Sequence, residues 1–225
     1  MAHPSNHTLS ELVTKSKTEV ILALDVETQD QANVILDQVG DQLTWVKIGL
    51  QSYLRDGHKI IKQCMERNKK VFLDLKLHDI PNTMSSAFLA LKDLRINYLT
   101  VHISSGLKAL KNIKKISGKT KIVGVTTLTS LDDKDLKSIG HEKSLKKIIQ
   151  LQSKLANKAN LDAIVCSPHE VKLVKKFFKK EIITPGIRFS AKINDQKRIM
   201  TPLDAFKEGS NWIVIGRDLT KGSIK

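Results

Sequence analysis

The chain has 225 residues, 40% of them apolar, which is enough for a sizeable core in one large domain or two small ones. No apolar run approaches the roughly 18–20 residues that cross a bilayer, and the polar opening MAHPSNHTLSELVTKSK lacks the apolar stretch of a secretory leader. Lys and Arg total 38 against 23 Asp and Glu, a net charge of +15, so nucleic acid, anionic membrane and phosphorylated small molecules are all electrostatically admissible partners.

In chain order, residues 1–19 form a tail or short helix, and the patterned region spans 20–225. Short β-branched runs then recur at 20–26 (VILALDV), 44–49 (TWVKIG), 70–76 (KVFLDLK), 98–103 (YLTVHI), 121–127 (KIVGVTT), 163–166 (AIVC), 181–186 (EIITPG) and 212–216 (WIVIG). Helical spacing fills the gaps: TQDQANVILDQV behind a Thr28 cap, SYLRDGHKIIKQCMER, PNTMSSAFLALKDL, SLKKIIQLQSKLANKA, and SPHEVKLVKKFF with Pro168 in its first turn. The lysine-rich stretches KNIKKISGKTK, HEKSLKK and KLVKKFFKK read as solvated faces of amphipathic helices. Strand–helix alternation repeated this often implies parallel strands joined by crossovers. Eight such units in one domain predict an α/β (βα)8 TIM barrel, with a doubly wound open sheet as the second choice. No G-x-G-x-x-G follows the first strand, which argues against a dinucleotide fold. Cys64 and Cys166 are far apart, show no metal spacing, and fit reduced thiols in a cytosolic protein.

In such a barrel the active site lies at the C-terminal strand ends. Those ends carry Asp25, Lys47, Asp74 and Lys76 with Asp79 just beyond, His102, Thr126, Thr127 and Thr129, Pro185, Gly186 and Arg188, then Gly216 and Arg217. Each has an ordinary reading. Asp25 and Asp79 cap helices, Asp74 and Lys76 form a structural ion pair, Lys47 snorkels, His102 is a bonded core histidine, and Arg217 lies on the surface. Converging on one rim, they are better explained as one site. Period-2 alternation turns Asp74 and Lys76 the same way. Gly216 and Arg217, after the eighth strand, suit a phosphate, and Arg188 and Gln196 lie on the preceding long loop. No histidine cluster suggests a metal.

The stretch DLKLHDIPNT at 74–83 is similar to the signature D-x-K-x-x-D-I-P-x-T of the orotidine 5′-phosphate decarboxylase family. The resemblance continues in ALD (23–25), VKIG (46–49), VH (101–102), PGIR (185–188), DQKRIMTP (195–202) and VIGRDLT (214–220). It implies a (βα)8 barrel, a cytoplasmic homodimer with shared sites, no metal or organic cofactor, and the last step of uridine 5′-phosphate synthesis. Its implied catalytic array is Lys47, Asp74, Lys76 and Asp79, with Asp79 supplied by the neighbouring subunit and Lys76 protonating C6. Asp25 and Lys47 then hold ribose hydroxyls, and Asp74 faces the substrate carboxylate. Ile80 and Thr83 reach in from the neighbour, and Thr129 meets the pyrimidine. Gln196, Gly216 and Arg217 hold the phosphate, and Arg188 belongs to the lid. The partners expected are a nucleotide substrate and a second subunit, without nucleic acid or membrane. Two departures stand out: the lid segment RFSAKINDQ has no glycine, and the sequence stops at Lys225, where relatives continue into a last helix. The N-terminal tail is expected to cover the flank that helix leaves. A magnesium-dependent sugar-phosphate lyase of the same barrel superfamily is the alternative enzyme, and a basic nucleic-acid binder the alternative of another class.

Overall fold

The computed structural model describes residues 20–188 and 200–220. The apolar runs form β1 (Val20–Ala23), β2 (Trp45–Gly49), β3 (Lys70–Leu77), β4 (Ile96–His102), β5 (Lys121–Val125), β6 (Ala163–Val165), β7 (Glu181–Thr184) and β8 (Trp212–Ile215). All neighbours pair in parallel, and β8 closes on β1 through Ile21↔Val214, so the sheet is a barrel rather than an open doubly wound sheet. The helices are α1 (Gln29–Val39), α2 (Leu50–Asp56), α3 (His58–Glu66), α4 (Pro81–Leu89), α5 (Gly106–Ile116), α6 (Asp133–Ser138), α7 (Leu145–Lys158), α8 (Val171–Phe177), α9 (Pro202–Glu208) and α10 (Arg217–Thr220).

Alternation along each strand builds two cores. Outward-facing Leu22, Val46, Leu73, Leu99, Ile122, Ile164, Ile182 and Ile213 pack under Ile35 and Leu36 of α1, Ile60 and Ile61 of α3, Ile113 of α5, Ile149 of α7 and Val174 of α8. The inward-facing set takes one residue from every strand: Ile21, Trp45, Phe72, Tyr98, Val123, Ala163, Ile183 and Val214. Large rings opposite small residues such as Ala163 fill the lumen, as a small barrel requires. At the N-terminal end the rings form a floor. Trp45 packs at a tilt against Tyr98 at 4.9 Å and against Trp212 at 5.1 Å between centroids, and Phe72 meets Tyr98 edge-on. The Tyr98 hydroxyl, whose pKa burial pushes upward, donates to Glu181, which Lys121 also grips at 2.5 Å.

Local signals account for most helix limits. Thr28 caps α1 in a full capping box with Gln31. Pro81 and Pro202 open α4 and α9 at first-turn positions, where the missing N–H costs nothing. The stretch read as one helix from 52 to 67 is two: Gly57, at φ 57°, ends α2 and admits α3 at a new angle. The helix expected over 81–94 ends at Leu89, and Pro168–Glu170 forms a 3-10 turn ahead of α8. The tail at 1–19 and the end of the chain beyond Thr220 lie outside the described residues, as does the expectation that the tail covers a flank.

Candidate active site

One layer above the packed rings, the same inward positions turn polar. Strand parity carries Trp45 to Lys47 and Phe72 to Asp74, and the register sets Ala23 beside Lys47 and Gly49 beside Asp74. Ala23, Lys47, Phe72 and Asp74 line a cavity of about 420 Å³ at the C-terminal rim, together with Asp25, Lys76, Thr129, Pro185, Gly186, Arg188, Gly216 and Asp218.

The charged groups form a chain. Lys47 Nζ donates to Asp25 Oδ2 at 2.6 Å and sits 3.4 Å from Asp74 Oδ2, which also accepts from Lys76 Nζ at 2.9 Å. Asp25 is fixed a second time by the Gly49 N–H, at 3.0 Å. Burial alone disfavours charge on both central groups, but their partners outweigh it. Lys47 is held above its ordinary pKa by Asp74 and Asp25. Asp74 is held below its own by Lys47, Lys76 and the hydrogen bonds it accepts. The fold thus favours Asp74 as a buried carboxylate held between Lys47 and Lys76.

Simple alternation does not describe how Lys76 gets there. Between Leu73↔Leu99 and Leu77↔Val101, β3 advances four residues while β4 advances two, a bulge that leaves Lys76 at φ 50°. A bulge re-aims a side chain, and a lysine in the left-handed region is held there by its surroundings. The support is Thr100, fully buried, whose hydroxyl accepts the Lys76 N–H at 2.8 Å and donates to Asp74 Oδ1 at 3.0 Å. The sequence reading passed over Thr100. The only signal for it is parity, since it lies two residues beyond the lumen residue Tyr98.

Of the residues singled out from sequence, Asp25, Lys47, Asp74, Lys76, Thr129, Arg188 and Gly216 meet at the cavity. Asp79, Ile80 and Thr83 do not: they lie exposed on the β3–α4 connection and the first turn of α4, with Ile80 65% accessible. The capping readings fail as well. Asp79 Oδ1 accepts the N–H of Ile80, itself the N-cap of α4, and Asp25 bonds across to β2 rather than to α1. His102, at the end of β4, sits 5.1 Å from the His78 ring, and burial, then His78 and Lys76, lower its pKa. Thr126 donates to the Val165 carbonyl, and the Thr127 N–H is held by Gln152. Arg188 reaches Asp218 at 3.5 Å across the β8 side of the cavity. Gln196 and the side chain of Arg217 lie outside the described residues.

A closed ring of parallel strands with alternating carboxylates and ammoniums at its C-terminal rim defines a (βα)8-barrel protein with a charged rim cavity. The family model described as "Orotidine 5'-phosphate decarboxylase / HUMPS family" matches residues 18–223, and the chain belongs to this family. It is 41% identical to the orotidine 5′-phosphate decarboxylase of Prochlorococcus marinus (strain AS9601), over 92% of this chain and 90% of that one. It is also 41% identical to that of Ehrlichia chaffeensis (strain ATCC CRL-10679 / Arkansas), over 91% and 90%. Among solved structures, the orotidine 5′-phosphate decarboxylase from Lactobacillus acidophilus superposes with a TM-score of 0.80 at 33% identity, covering 91% of this chain and 92% of that one.

Proposed function

We propose that this chain converts orotidine 5′-phosphate to uridine 5′-phosphate and carbon dioxide, without metal or organic cofactor, as a cytoplasmic homodimer. The observation that carries the reading is the ionic chain Asp25–Lys47–Asp74–Lys76 at the cavity floor. Loss of carbon dioxide from C6 leaves the bonding electron pair on an sp² carbon with little resonance help. A site speeds that step only by favouring the carbanion over the carboxylate. Asp74, already ionised, repels a substrate carboxylate brought against it, and that repulsion disappears as carbon dioxide departs. Lys76, on the other side of Asp74, faces the growing negative charge, stabilises it, and then passes an Nζ proton to C6, ending as a neutral amine. Asp25 and Lys47 suit the ribose hydroxyls and Thr129 the base. Arg188, Gly216, Arg217 and Gln196 suit the phosphate.

A second subunit completes the reading. Asp79, Ile80 and Thr83 are exposed, as are apolar residues of α2 and α4, Leu50, Leu54 and Leu89. A twofold partner laid over this surface hides those apolar groups and receives Asp79 in its own site.

The test is the fall in absorbance when purified protein meets orotidine 5′-phosphate, repeated with Lys76→Ala and with a chelator. Expected are turnover by the wild type that chelator leaves intact, and a folded Lys76→Ala variant slowed by at least a thousandfold, about 4 kcal/mol of transition-state stabilisation. Near-normal rates for the variant remove Lys76 as the proton donor. A wild type inert toward orotidine 5′-phosphate favours the magnesium-dependent sugar-phosphate lyase reading instead, and turnover that chelator abolishes removes the metal-free mechanism.

A further inference from the structure

The site uses few of the chain's positive charges, and their distribution is uneven. Residues 106–180 hold 18 lysines against six acidic residues, which is +12 of the total +15. Within that third of the chain, α5, α7 and α8 contain no Asp or Glu at all and carry eleven lysines between them. By contrast α1 has two aspartates and no basic residue.

The fold gathers these helices into one surface, because α5 packs on α7 and α7 on α8. Lys114 is tied to Asp162 at 2.7 Å and Lys172 to Glu208 at 2.9 Å. Lys108, Lys111, Lys115, Lys146, Lys147, Lys154, Lys158 and Lys176 are exposed and meet no carboxylate among the described residues. Like charges stand four apart on one helix at Lys111/Lys115, Lys154/Lys158 and Lys172/Lys176, a spacing that costs helix stability. A neutralising partner relieves that repulsion.

We infer that the α5–α7–α8 face is a docking surface for a nucleic-acid backbone. A protein partner needs buried apolar or aromatic anchors. In 106–180 the large exposed hydrophobics are only Leu128, Ile139 and Leu151 among the described residues. The face is the convex flank of a barrel, so a flat bilayer touches one helix at a time, whereas a phosphate chain can follow all three. Binding of this kind is independent of base sequence and releases counterions, so it weakens steeply with salt. This surface lies on the outside of the barrel, away from the rim cavity, and the inference does not rest on the proposed reaction.

The experiment is fluorescence anisotropy of a labelled single-stranded RNA of about twenty nucleotides, titrated with the full chain from about 50 to about 200 mM salt. Expected is a loss of affinity of roughly a hundredfold across that range, as release from about five phosphates gives. A variant with Lys111, Lys115, Lys154 and Lys158 all changed to Gln loses most binding at the lower salt. It keeps its turnover, since these side chains are outside the cavity, and it stays folded, since relief of the Lys111/Lys115 and Lys154/Lys158 repulsions offsets loss of the contact between Lys154 and the Phe177 ring. A control variant with Lys59, Lys62, Lys92 and Lys207 changed to Gln has the same net charge and keeps most binding. No binding by the wild type at the lower salt overturns the inference, as does equal loss in both variants. Binding to anionic phosphatidylserine vesicles with none to RNA overturns it in favour of a membrane surface.

Discussion

Thr100 does for Lys76 what the strand ladder cannot. Its hydroxyl takes the amide proton freed by the bulge and hands its own to Asp74, so one side chain fixes both members of the central ion pair. Thr100→Val keeps the shape and removes both bonds. It leaves a buried N–H without a partner and Asp74 one donor short, at a stability cost of about 1–3 kcal/mol. With Lys76 less firmly placed, kcat is expected to fall about tenfold, near 1.4 kcal/mol, with KM little changed. Steady-state kinetics beside a thermal melt check both parts. His102 marks a second residue-scale effect. Its folded pKa lies below the ordinary 6.5 because burial, His78 and Lys76 all oppose its charge. Between the folded and unfolded values the unfolded chain binds the proton more readily, so stability is full above pH 6.5 and falls as pH drops below it. His102→Gln is expected to flatten that slope in urea melts taken across the same window.

At the scale of elements, β1 and β2 are coupled at the rim through a residue with no side chain. A Cβ on Gly49 falls 2.3 Å from Asp25 Oδ1 and 2.9 Å from its Cγ, where Asp25 is already clamped by Lys47 and the Gly49 amide. The Gly49 backbone, at φ −91°, is open to any residue, so the obstacle is contact rather than conformation. Gly49→Ala is expected to displace Asp25, raise KM for the nucleotide about tenfold, and lower stability by about 1–3 kcal/mol through overpacking. Binding calorimetry with uridine 5′-phosphate checks the first and a urea melt the second. Elements were also where sequence patterns were most readable. Each β-branched run became a strand, because parallel strands buried on both faces need continuous Val and Ile. The helix pattern over 52–67 concealed its break, since apolar spacing on either side of Gly57 stays in phase well enough to look continuous. The Lys76 bulge was invisible for a different reason: it is set by Thr100 on the next strand, a contact between residues 24 apart in sequence.

For the whole molecule, what could be read depended on whether a residue answers to its own barrel. Asp25, Lys47 and Asp74 could be placed from strand parity, Lys76 only once the bulge is added, and the structure brings all four together. Asp79 lies only three residues beyond Lys76 in sequence, yet it is exposed and outside the cavity lining. Under the homodimer reading Asp79 acts in the neighbouring site, and two inactive proteins can repair each other. Lys76→Ala and Asp79→Ala chains, unfolded, mixed equally and refolded, pair at random into about half mixed dimers. Each mixed dimer then holds one doubly damaged site and one intact site, so activity returns to about a quarter of wild type. No recovery, with mixed dimers shown to be present, places Asp79 outside the shared site.

The ring-filled floor of the barrel has a consequence for traffic. With Trp45, Phe72, Tyr98 and Trp212 packed across the lumen and Tyr98 pinned to Glu181, nothing passes through the barrel from end to end. The cavity is a vestibule whose doorway, among the described residues, is the C-terminal rim. In the proposed reaction, nucleotide enters and both products leave through the same opening, so the chamber must empty before it can be refilled. Product release through that opening is therefore a step of every turnover.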